Sequence, residues 1–442
     1  MSDVVPEPAA TRRASKAVLV AIAAIALAAF AFRVWVVAEV ATREPNGGDP
    51  LYYHLQANLL VDGHGFAEPF GWAEHGTVEP SAIHPPGFTV WLASASLAGF
   101  DSVFAHKAMS ALAGALAVAV VGLIAARLAS GRAGVLAALV AAVHPNFWVV
   151  DGALMPEALY ALGVACVLLF AYRAASLPSR ARLALAGVSI GLAALVRGEA
   201  LLFALLLGSW LAARSCASDG RVPPIRRARV RCVVAHGAVV VGAAAAVMAP
   251  WTVRNLVTFD APVLVSANAD EVLRNANCDD TWGGRLLGFW SVYCYQPAPP
   301  PHLDEAERAR FWRRAGLDYV ADNARRLPVV LAARVGRVWG VYRPSQNVDL
   351  SSVEGRDIGV ARAGHVAYAF AWVPAIAGVV ALRRRRVPLW PLASTAVVVT
   401  ATAMYAYGVI RFRMPAEVAL AVLVGVGIDS VCARFSGAAT RT

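Results

Sequence analysis

The sequence predicts an all-α polytopic membrane protein with about ten transmembrane helices and with interfacial helices in two long exterior loops. Of its 442 residues, 58% are hydrophobic and only 16% are charged, whereas an ordinary soluble domain is about 25% charged. The mean hydropathy is +0.57. An apolar excess of this size is accommodated by lipid, because a single soluble domain lacks the core volume to bury it.

Ten apolar segments approach the roughly 20 residues that a helix needs to cross a bilayer. They are 17–41, 104–126, 133–150, 156–172, 183–196, 199–213, 232–250, 364–382, 388–408 and 414–432. The apolar segment 86–100 is too short to span, so we expect it to lie in the interface or to re-enter the membrane. A cleaved signal peptide is the alternative for the first segment, but its apolar run continues past the Ala-Phe-Ala at 29–31, which favours an uncleaved anchor.

Basic residues predict the orientation. Arg12, Arg13 and Lys16 precede the first span and place the N-terminus in the cytoplasm. With ten spans, the arginines of the short loops at 127–132, 173–182, 221–231 and 383–386 all fall on the cytoplasmic side. Counting 86–100 as a span would turn the four consecutive arginines of the last block outward. Together with a lysine-poor, arginine-rich composition, this pattern predicts a bacterial cytoplasmic membrane protein with both termini in the cytoplasm.

Several functional classes are excluded by composition and motifs. The net charge of +11 lies in short blocks between apolar runs, which is typical of membrane loops and does not indicate a nucleic-acid partner. The sequence contains no Walker loop, Rossmann glycine pattern or HExxH. We therefore expect no direct use of ATP, and an activated donor must carry its own leaving group.

Two long polar segments divide the chain into three parts. Residues 1–250 form an N-terminal transmembrane core with a first exterior loop at 42–103, residues 251–363 form an exterior cap, and residues 364–442 form the C-terminal helices. In the first loop, 50–61 fits a short helix with Asp49 as its N-cap and Pro50 as its first residue. In the cap, 304–326 and 329–341 have helical patterns.

The cap also contains two cysteines, Cys278 and Cys294. Cysteines in an oxidising compartment can pair, and a bridge closing this short loop would stabilise the fold by roughly 3 kcal/mol. We favour the disulfide, with two free thiols as the alternative.

Polar residues from six stretches of sequence lie at or near the outer ends of the predicted spans. They are Asp49, His54, His84, Asp151, Glu157, Arg197, Glu199, Arg254, Arg411 and Arg413. Charged groups at a membrane boundary are costly unless they are paired or hydrated, so this grouping predicts one polar cavity open to the exterior.

Asp49 is the strongest catalytic candidate, because a carboxylate can remove a proton from a hydroxyl as a new bond forms. We expect a partly apolar cavity to raise its pKa. Arg411 and Arg413 are spaced to hold a phosphate from two sides, with snorkelling to lipid headgroups as the alternative.

The remaining candidates are assigned to substrate binding, and each has a structural alternative. They are Tyr53, His54, Glu157, Arg197, Glu199 and Arg254. A structural ion pair explains Arg197 with Glu199 equally well, and the helix dipole alone favours an acid such as Glu157 at a helix start.

Six motifs across nearly the whole chain together resemble the GT-C superfamily of integral-membrane glycosyltransferases, in its bacterial branch near the protein O-mannosyltransferases and aminoarabinose transferases. They are Asp49-Pro-Leu-Tyr-Tyr-His, Ala82-Ile-His84-Pro85-Pro86-Gly-Phe, Met155-Pro156-Glu157-Ala-Leu-Tyr160, Leu195-Val-Arg197-Gly-Glu199-Ala-Leu, Pro250-Trp251-Thr-Val-Arg254-Asn255 and Tyr407-Gly-Val-Ile-Arg411-Phe-Arg413-Met-Pro415. The resemblance implies transfer of a sugar from a polyprenyl phosphate to a hydroxyl of a glycan, lipid or protein on the outer face, with inversion. It also implies that Asp49 is the general base and that Arg411 or Arg413 holds the donor phosphate.

Two departures from the family pattern bear on the site. Many relatives have two adjacent acids in the first loop, but here Pro50 follows Asp49. A single acid disfavours a divalent cation, so we expect no cofactor and no metal. His84 stands where some relatives have lysine, and we assign it to the donor phosphate, although the charge of a histidine depends on pH.

Two further classes stay open. A transporter or flippase of lipid-linked saccharides would share a polar cavity, but the chain shows no internal repeat and its polar residues gather at one face. A non-catalytic cell-envelope assembly factor would bind the lipid-linked sugar without turning it over.

Overall fold

The computed structural model describes residues 14–42, 44–45, 47–218 and 226–439, and in this part of the chain the only regular elements are helices. Ten of these helices correspond to the ten predicted spans. They are α1 (Lys16–Glu39), α5 (Val103–Leu128), α6 (Gly131–Val143), α8 (Glu157–Ser176), α9 (Arg180–Val196), α10 (Leu201–Ser218), α11 (Arg226–Thr258), α17 (Ile358–Arg384), α18 (Trp390–Tyr405) and α19 (Met414–Ala439). Arg12, Arg13 and Arg221, which carry part of the orientation argument, lie outside the described residues.

Further helices lie in the segments that connect these ten. They are α2 (Gly48–Val61), α3 (Pro69–His75), α4 (Pro86–Ser96), α7 (Pro145–Trp148), α12 (Asn268–Asn275), α13 (Asp279–Trp282), α14 (Glu305–Asp322), α15 (Leu327–Val338) and α16 (Pro344–Leu350). Short 3₁₀ turns at Gly198–Ala200 and Ile410–Arg413 join long helices near the candidate site.

The predicted all-helical membrane fold is confirmed. Each of the ten predicted spans corresponds to a helix, and seven helices of the described residues are long and apolar enough to cross a membrane. The other three, α6, α9 and α18, have 13, 17 and 16 residues. The segment at 86–100 forms the 11-residue α4, which is too short to span.

Three local predictions are wrong. Asp49 does not cap α2, because the helix begins one residue earlier, at Gly48, and Gly47 precedes it. The helix predicted at 133–150 ends at Val143, where the extended His144 and the following Pro145 interrupt it. The helix predicted to end at residue 250 continues to Thr258, with Pro250 inside it.

Small residues allow the long helices to approach closely, as is usual in membrane bundles. α19 packs against α17, α6, α5 and α8, so it lies at the centre of the bundle. A side chain at Gly427 in α19 would meet the carbonyl oxygen of Pro374 in α17. The core is built mainly from alanine, valine and leucine on these helices.

A buried ion pair ties α1 to this bundle. Arg33 is fully buried in α1, and its Nη1 donates to Oδ2 of Asp151 at 2.7 Å and to the carbonyl of Phe147 at 2.9 Å. Asp151 is therefore a structural partner of Arg33, and it does not line the cavities described below.

The segment between α11 and α17 folds over one end of the bundle. Its helices α12 and α14 pack together, and α15 packs against α18. Cys278 and Cys294 form a disulfide in this cap. A second disulfide, Cys216–Cys232, joins α10 to α11, and its cysteines flank the connection at 221–231 that the charge pattern assigns to the cytoplasmic side.

Candidate active site

Asp49 lies in the first turn of α2, at the end of the bundle covered by the cap. Gly48 has a φ of +61°, in the left-handed region that favours glycine, and this turn brings the chain into the helix directly before Asp49. A carboxylate in the first helical turn is stabilised by the unpaired backbone N–H groups and the helix dipole. The side chain of Asp49 is 38% exposed, so it faces open space and not the core.

His84 is the first neighbour of Asp49. Its Nε2 lies 3.5 Å from Oδ1 of Asp49, and its ring stacks on the buried Tyr53 with ring centroids 4.7 Å apart. The extended Pro85 follows, and α4 begins at Pro86, so the proline pair fixes the direction of the chain at His84. Tyr53 thus serves as a platform for the imidazole.

Arg411 is the second neighbour of Asp49. It lies in the 3₁₀ turn before α19, with Nη1 3.7 Å from Oδ2 of Asp49 and 4.0 Å from Oε1 of Glu157. Its Nη2 donates to the hydroxyl of Tyr407 at 3.3 Å. Two acidic groups and a phenol therefore orient one guanidinium.

Glu157 connects this group to a second arginine. Nη1 of Arg197 donates to Oε1 of Glu157 at 2.8 Å, and its Nε donates to Oε1 of Glu199 at 2.6 Å. Glu157 is fully buried, and its Oε2 accepts no hydrogen bond in the structure. Five charged side chains thus form one connected network of ion pairs, with His84 at its edge. They are Asp49 of α2, Glu157 of α8, Arg197 and Glu199 of the α9–α10 turn, and Arg411 of the 3₁₀ turn before α19.

The expected increase in the pKa of Asp49 is wrong for this arrangement. Burial acts to raise the pKa of the carboxyl, but the opposite charge and hydrogen bond of His84, and the charges of Arg411 and Arg197, outweigh burial and hold that pKa well below its usual value. Asp49 is therefore ionised throughout the neutral range, and it is a weak base while both cationic neighbours face it.

Two cavities meet at Asp49. One has a volume of about 530 Å³ and is lined by polar groups that include Glu44, Lys107 and Glu271. The other has a volume of about 490 Å³ and is mainly apolar. Its walls include Leu201 and Leu202 of α10 and, from α18, Ala401, Thr402 and Tyr405.

Five residues line both cavities. They are Asp49, His84, Asn268, Tyr407 and Arg411. A ligand with an apolar tail and a polar head would therefore place its polar head at Asp49 and Arg411 if its tail filled the apolar cavity.

Acidic groups concentrate on the polar side. A smaller space of about 310 Å³ touches Asp49, Glu68, Glu271 and Glu305 together with Arg308. Burial and the neighbouring Glu305 raise the pKa of Glu271 to about 7.

Arg413 does not share a site with Arg411, which corrects the prediction that both hold one phosphate. Arg413 is fully buried, and its Nε donates to Oε1 of Glu417 at 2.8 Å, one turn further along α19. Its guanidinium also lies 3.5 Å from the ring centroid of Tyr368 in α17. It lines none of the three cavities, because the 3₁₀ turn directs residues 411 and 413 to opposite sides.

His54 and Arg254 also lie away from these cavities, contrary to the prediction that they bind substrate. His54 faces His106 of α5, with Nδ1 atoms 3.0 Å apart. Arg254 donates to the carbonyls of Ser81 and Phe66 at 3.0 and 3.3 Å, and it thereby fastens α11 to the first exterior loop. By contrast, Tyr53, Arg197 and Glu199 line the apolar cavity.

Sequence reasoning missed several cavity residues. Tyr407 begins the motif that contains Arg411, and its place in that motif was a usable signal. Glu271, Asn268 and Trp290 come from the cap, and no local pattern in the sequence connects them to Asp49.

Comparison with known proteins agrees with this architecture. A family model described as dolichyl-phosphate-mannose-protein mannosyltransferase matches residues 83–253. The fold is similar to that of the archaeal oligosaccharyltransferase AglB from Archaeoglobus fulgidus, solved in complex with an inhibitory peptide and a dolichol-phosphate. The two structures superpose with a TM-score of 0.51 at 15% sequence identity. The match covers 95% of this chain and 50% of that one. The chain thus spans half the length of that protein.

A second solved structure, ArnT from Cupriavidus metallidurans bound to undecaprenyl phosphate, matches with a TM-score of 0.40 and 17% identity, over 94% of this chain and 79% of that one. No curated protein sequence matches the chain. The family model covers less than half of the chain, and the match to the archaeal structure shows a shared membrane-protein fold.

Proposed function

We propose that this protein transfers a sugar from a polyprenyl-phosphate donor to an acceptor hydroxyl at the outer face of a bacterial cytoplasmic membrane, with inversion at the anomeric carbon. The observation that carries the proposal is that Asp49 and Arg411 line both an apolar and a polar cavity. A base and a phosphate-binding group are thus adjacent where a lipid-linked donor and a water-soluble acceptor group would meet.

The apolar cavity is assigned to the lipid end of the donor. Leu201 of α10 and Tyr405 of α18, which line it, are 37% and 49% exposed, so the cavity wall continues onto the outer surface of two helices of the bundle. A polyprenyl chain entering between these helices would bring its phosphate to Arg411, whose planar guanidinium suits a phosphate diester. The archaeal structure of similar fold holds a dolichol-phosphate.

The polar cavity is assigned to the acceptor. The acceptor oxygen attacks the anomeric carbon from the side opposite the phosphate, and the bond from that carbon to the phosphate oxygen breaks. Asp49 takes the hydroxyl proton, and the polyprenyl phosphate leaves with the electron pair, stabilised by Arg411 and His84. A single direct displacement inverts the anomeric centre.

The low pKa of Asp49 fits this assignment if the donor changes its surroundings. A donor phosphate draws Arg411 and His84 into contacts with its own oxygens and so weakens their interaction with the carboxylate. The pKa of Asp49 then rises, and the carboxylate becomes a better base when the donor is bound.

The test compares Asp49→Asn with Asp62→Asn, a matched control at the exposed far end of the same helix. With purified protein and a radiolabelled polyprenyl-phosphate sugar, we expect Asp49→Asn to abolish transfer while donor binding persists, and we expect Asp62→Asn to behave as wild type. Undiminished transfer by Asp49→Asn would refute the base assignment. Donor binding without turnover in the wild type, tested against a panel of acceptors, would instead favour the assembly factor, and donor movement across vesicles without transfer would favour the flippase.

A further inference from the structure

Three metal-ligand side chains outside the candidate active site meet at the far end of the α10–α11 hairpin. Cys216 is in α10, and Cys232 and His236 are in α11. Their ligating atoms lie within 4.8 Å of one another. Cys216 is buried and the other two are half-buried, so the group is partly shielded from solvent.

The spacing of these residues matches a metal site as well as a disulfide. Cys232 and His236 are four residues apart and therefore on the same face of α11. Nδ1 of His236 lies 3.4 Å from Sγ of Cys216 and 3.8 Å from Sγ of Cys232. Ligands of a tetrahedral zinc ion with bonds of about 2.0–2.3 Å are separated by about 3.3–3.8 Å, so the imidazole already stands at the right distance from both sulfurs.

The fourth ligand of a tetrahedral ion would be a water molecule or a hydroxyl. Oγ of Ser215 lies 2.5 Å from Nδ1 of His236, closer than two ligands of one zinc ion stand, so it would have to move away from Nδ1 to take this role. Two thiolates, a neutral imidazole and a hydroxyl or water around Zn²⁺ carry no net charge, which suits a half-buried position at the end of membrane helices.

The compartment decides between the disulfide and the metal. The Cys216–Cys232 pair flanks the arginine-rich connection at 221–231, which the positive-inside rule assigns to the cytoplasm. Structural disulfides are rare there, because the cellular thiol pool keeps cysteines reduced. A cytoplasmic thiol reductant of the glutathione class would supply two electrons and two protons and convert the disulfide to two thiols.

We propose that Cys216, Cys232 and His236 of the reduced protein bind a thiophilic divalent cation of the Zn²⁺ class. Binding displaces the two thiol protons to solvent, and it forms bonds from the metal to both sulfurs and to Nδ1 of His236. The metal clamps the inner end of the hairpin whose outer end, at Leu201 and Leu202, lines the apolar cavity. This site does not depend on the proposed function, only on the orientation of the chain.

The experiment measures metal binding directly. Full-length protein carrying Cys278→Ser and Cys294→Ser, so that no outer thiols contribute, is reduced with a phosphine and titrated with Zn²⁺ against a chromophoric chelator. We expect one Zn²⁺ per chain, and we expect Co²⁺ to give a thiolate-to-metal charge-transfer band. Cys216→Ser, Cys232→Ser and His236→Gln each weaken binding at least about tenfold, whereas Cys166→Ser, in α8, is the matched control and changes nothing.

Size-exclusion chromatography of each variant shows whether weaker metal binding comes from loss of the site or from loss of folding. If a cysteine variant aggregates, His236→Gln tests the site in its place, because it leaves both cysteines intact. Equal Zn²⁺ binding by all variants, or none by the reduced parent, overturns the proposal.

In cells, a membrane-permeant maleimide is applied after chelation and without added reductant. Labelling of Cys216 and Cys232 supports the proposal, and labelling that requires prior reduction shows a stable disulfide and overturns it.

Discussion

The guanidinium of Arg411 lies 3.7 Å from the carboxylate of Asp49, at the boundary shared by an apolar and a polar cavity. This separation exceeds that of a direct hydrogen bond, and Nη1 of Arg411 is nearly as close to Glu157, at 4.0 Å. Arg411 thus faces two carboxylates at the boundary of the two cavities. A phosphate oxygen at this boundary would gain a charge-assisted hydrogen bond from the guanidinium.

Replacing Arg411 should therefore weaken donor binding more than it weakens the fold. A hydrogen bond to a charged group contributes about 1.5–3 kcal/mol, so we expect Arg411→Gln to raise the Kd for the polyprenyl-phosphate donor by about 10- to 100-fold. Arg362→Gln is the control, because Arg362 is an exposed arginine in the surface pair with Asp349. The measurement is equilibrium binding of labelled donor to detergent-solubilised protein, and equal affinities for the two variants would remove Arg411 from the phosphate role.

Donor binding should also depend on pH through Glu271. Burial and Glu305 raise the pKa of this carboxyl to about 7, and it lines the same polar cavity as Arg411. Below that pH Glu271 is protonated and neutral, so the cavity carries less negative charge and attracts an anionic donor more strongly. We expect the donor Kd to rise as the pH increases through about 7.

Glu271→Gln isolates this contribution from that of any other group that titrates in the same range. The glutamine variant should bind the donor more tightly than the wild type above that pH and equally below it. Glu74→Gln, at an exposed position, is the control and should follow the wild type. A parallel pH dependence in wild type and Glu271→Gln would contradict the prediction.

The sequence predicted the helical bundle and the grouping of Asp49, Glu157, Arg197 and Arg411 because both rest on simple rules. Apolar runs mark helices that cross a bilayer, and alternation of those helices puts residues from distant segments at the same end. Ion pairs across that end follow from the cost of isolated charges near lipid. None of these rules needs the details of packing.

The wrong predictions concern side chains whose role depends on the direction in which they point and not only on their position along the chain. A spacing of one residue between Arg411 and Arg413 does not reveal that both lie in one 3₁₀ turn, from which Arg411 lines the cavities and Arg413 faces Tyr368. The pKa of Asp49 was misjudged for a related reason. Burial could be inferred from the apolar surroundings, but the distances to His84 and Arg411 that outweigh burial exist only in the folded chain.

The outer disulfide should stabilise the cap. Cys278 and Cys294 are 16 residues apart, and closing a loop of that length contributes about 3 kcal/mol in the chain-entropy model. Cys294 is fully buried and is the last residue of the 3₁₀ turn that precedes Tyr295 of the polar cavity. We expect Cys278→Ser with Cys294→Ser to lower the thermal unfolding midpoint and to increase proteolysis within the cap.

The same measurements on Cys166→Ser, which removes a thiol from α8, provide the comparison. Unchanged protease sensitivity of the double variant would show that packing alone holds the cap.

The buried Arg413–Glu417 pair should contribute to stability and not to donor binding. Both side chains are at most 3% exposed, and Asn146 of α7 also donates to Oε1 of Glu417 at 2.9 Å. Arg413→Met alone leaves the glutamate without its opposite charge, which costs about 3–5 kcal/mol in a buried pair. Adding Glu417→Leu removes the stranded charge, so the double variant should recover much of the lost stability.

The exposed pair Arg362–Asp349 is the matched comparison, because a surface ion pair contributes only about 0–1 kcal/mol. Thermal unfolding in detergent measures the stability of the single and double variants of both pairs, and donor binding is measured on each variant that stays folded. If Arg413→Met gave a stable protein with weakened donor binding, the sequence-based prediction that Arg411 and Arg413 both hold the donor phosphate would be correct. A destabilised protein that binds donor normally when folded places Arg413 in the scaffold, where its guanidinium orients the turn that carries Arg411.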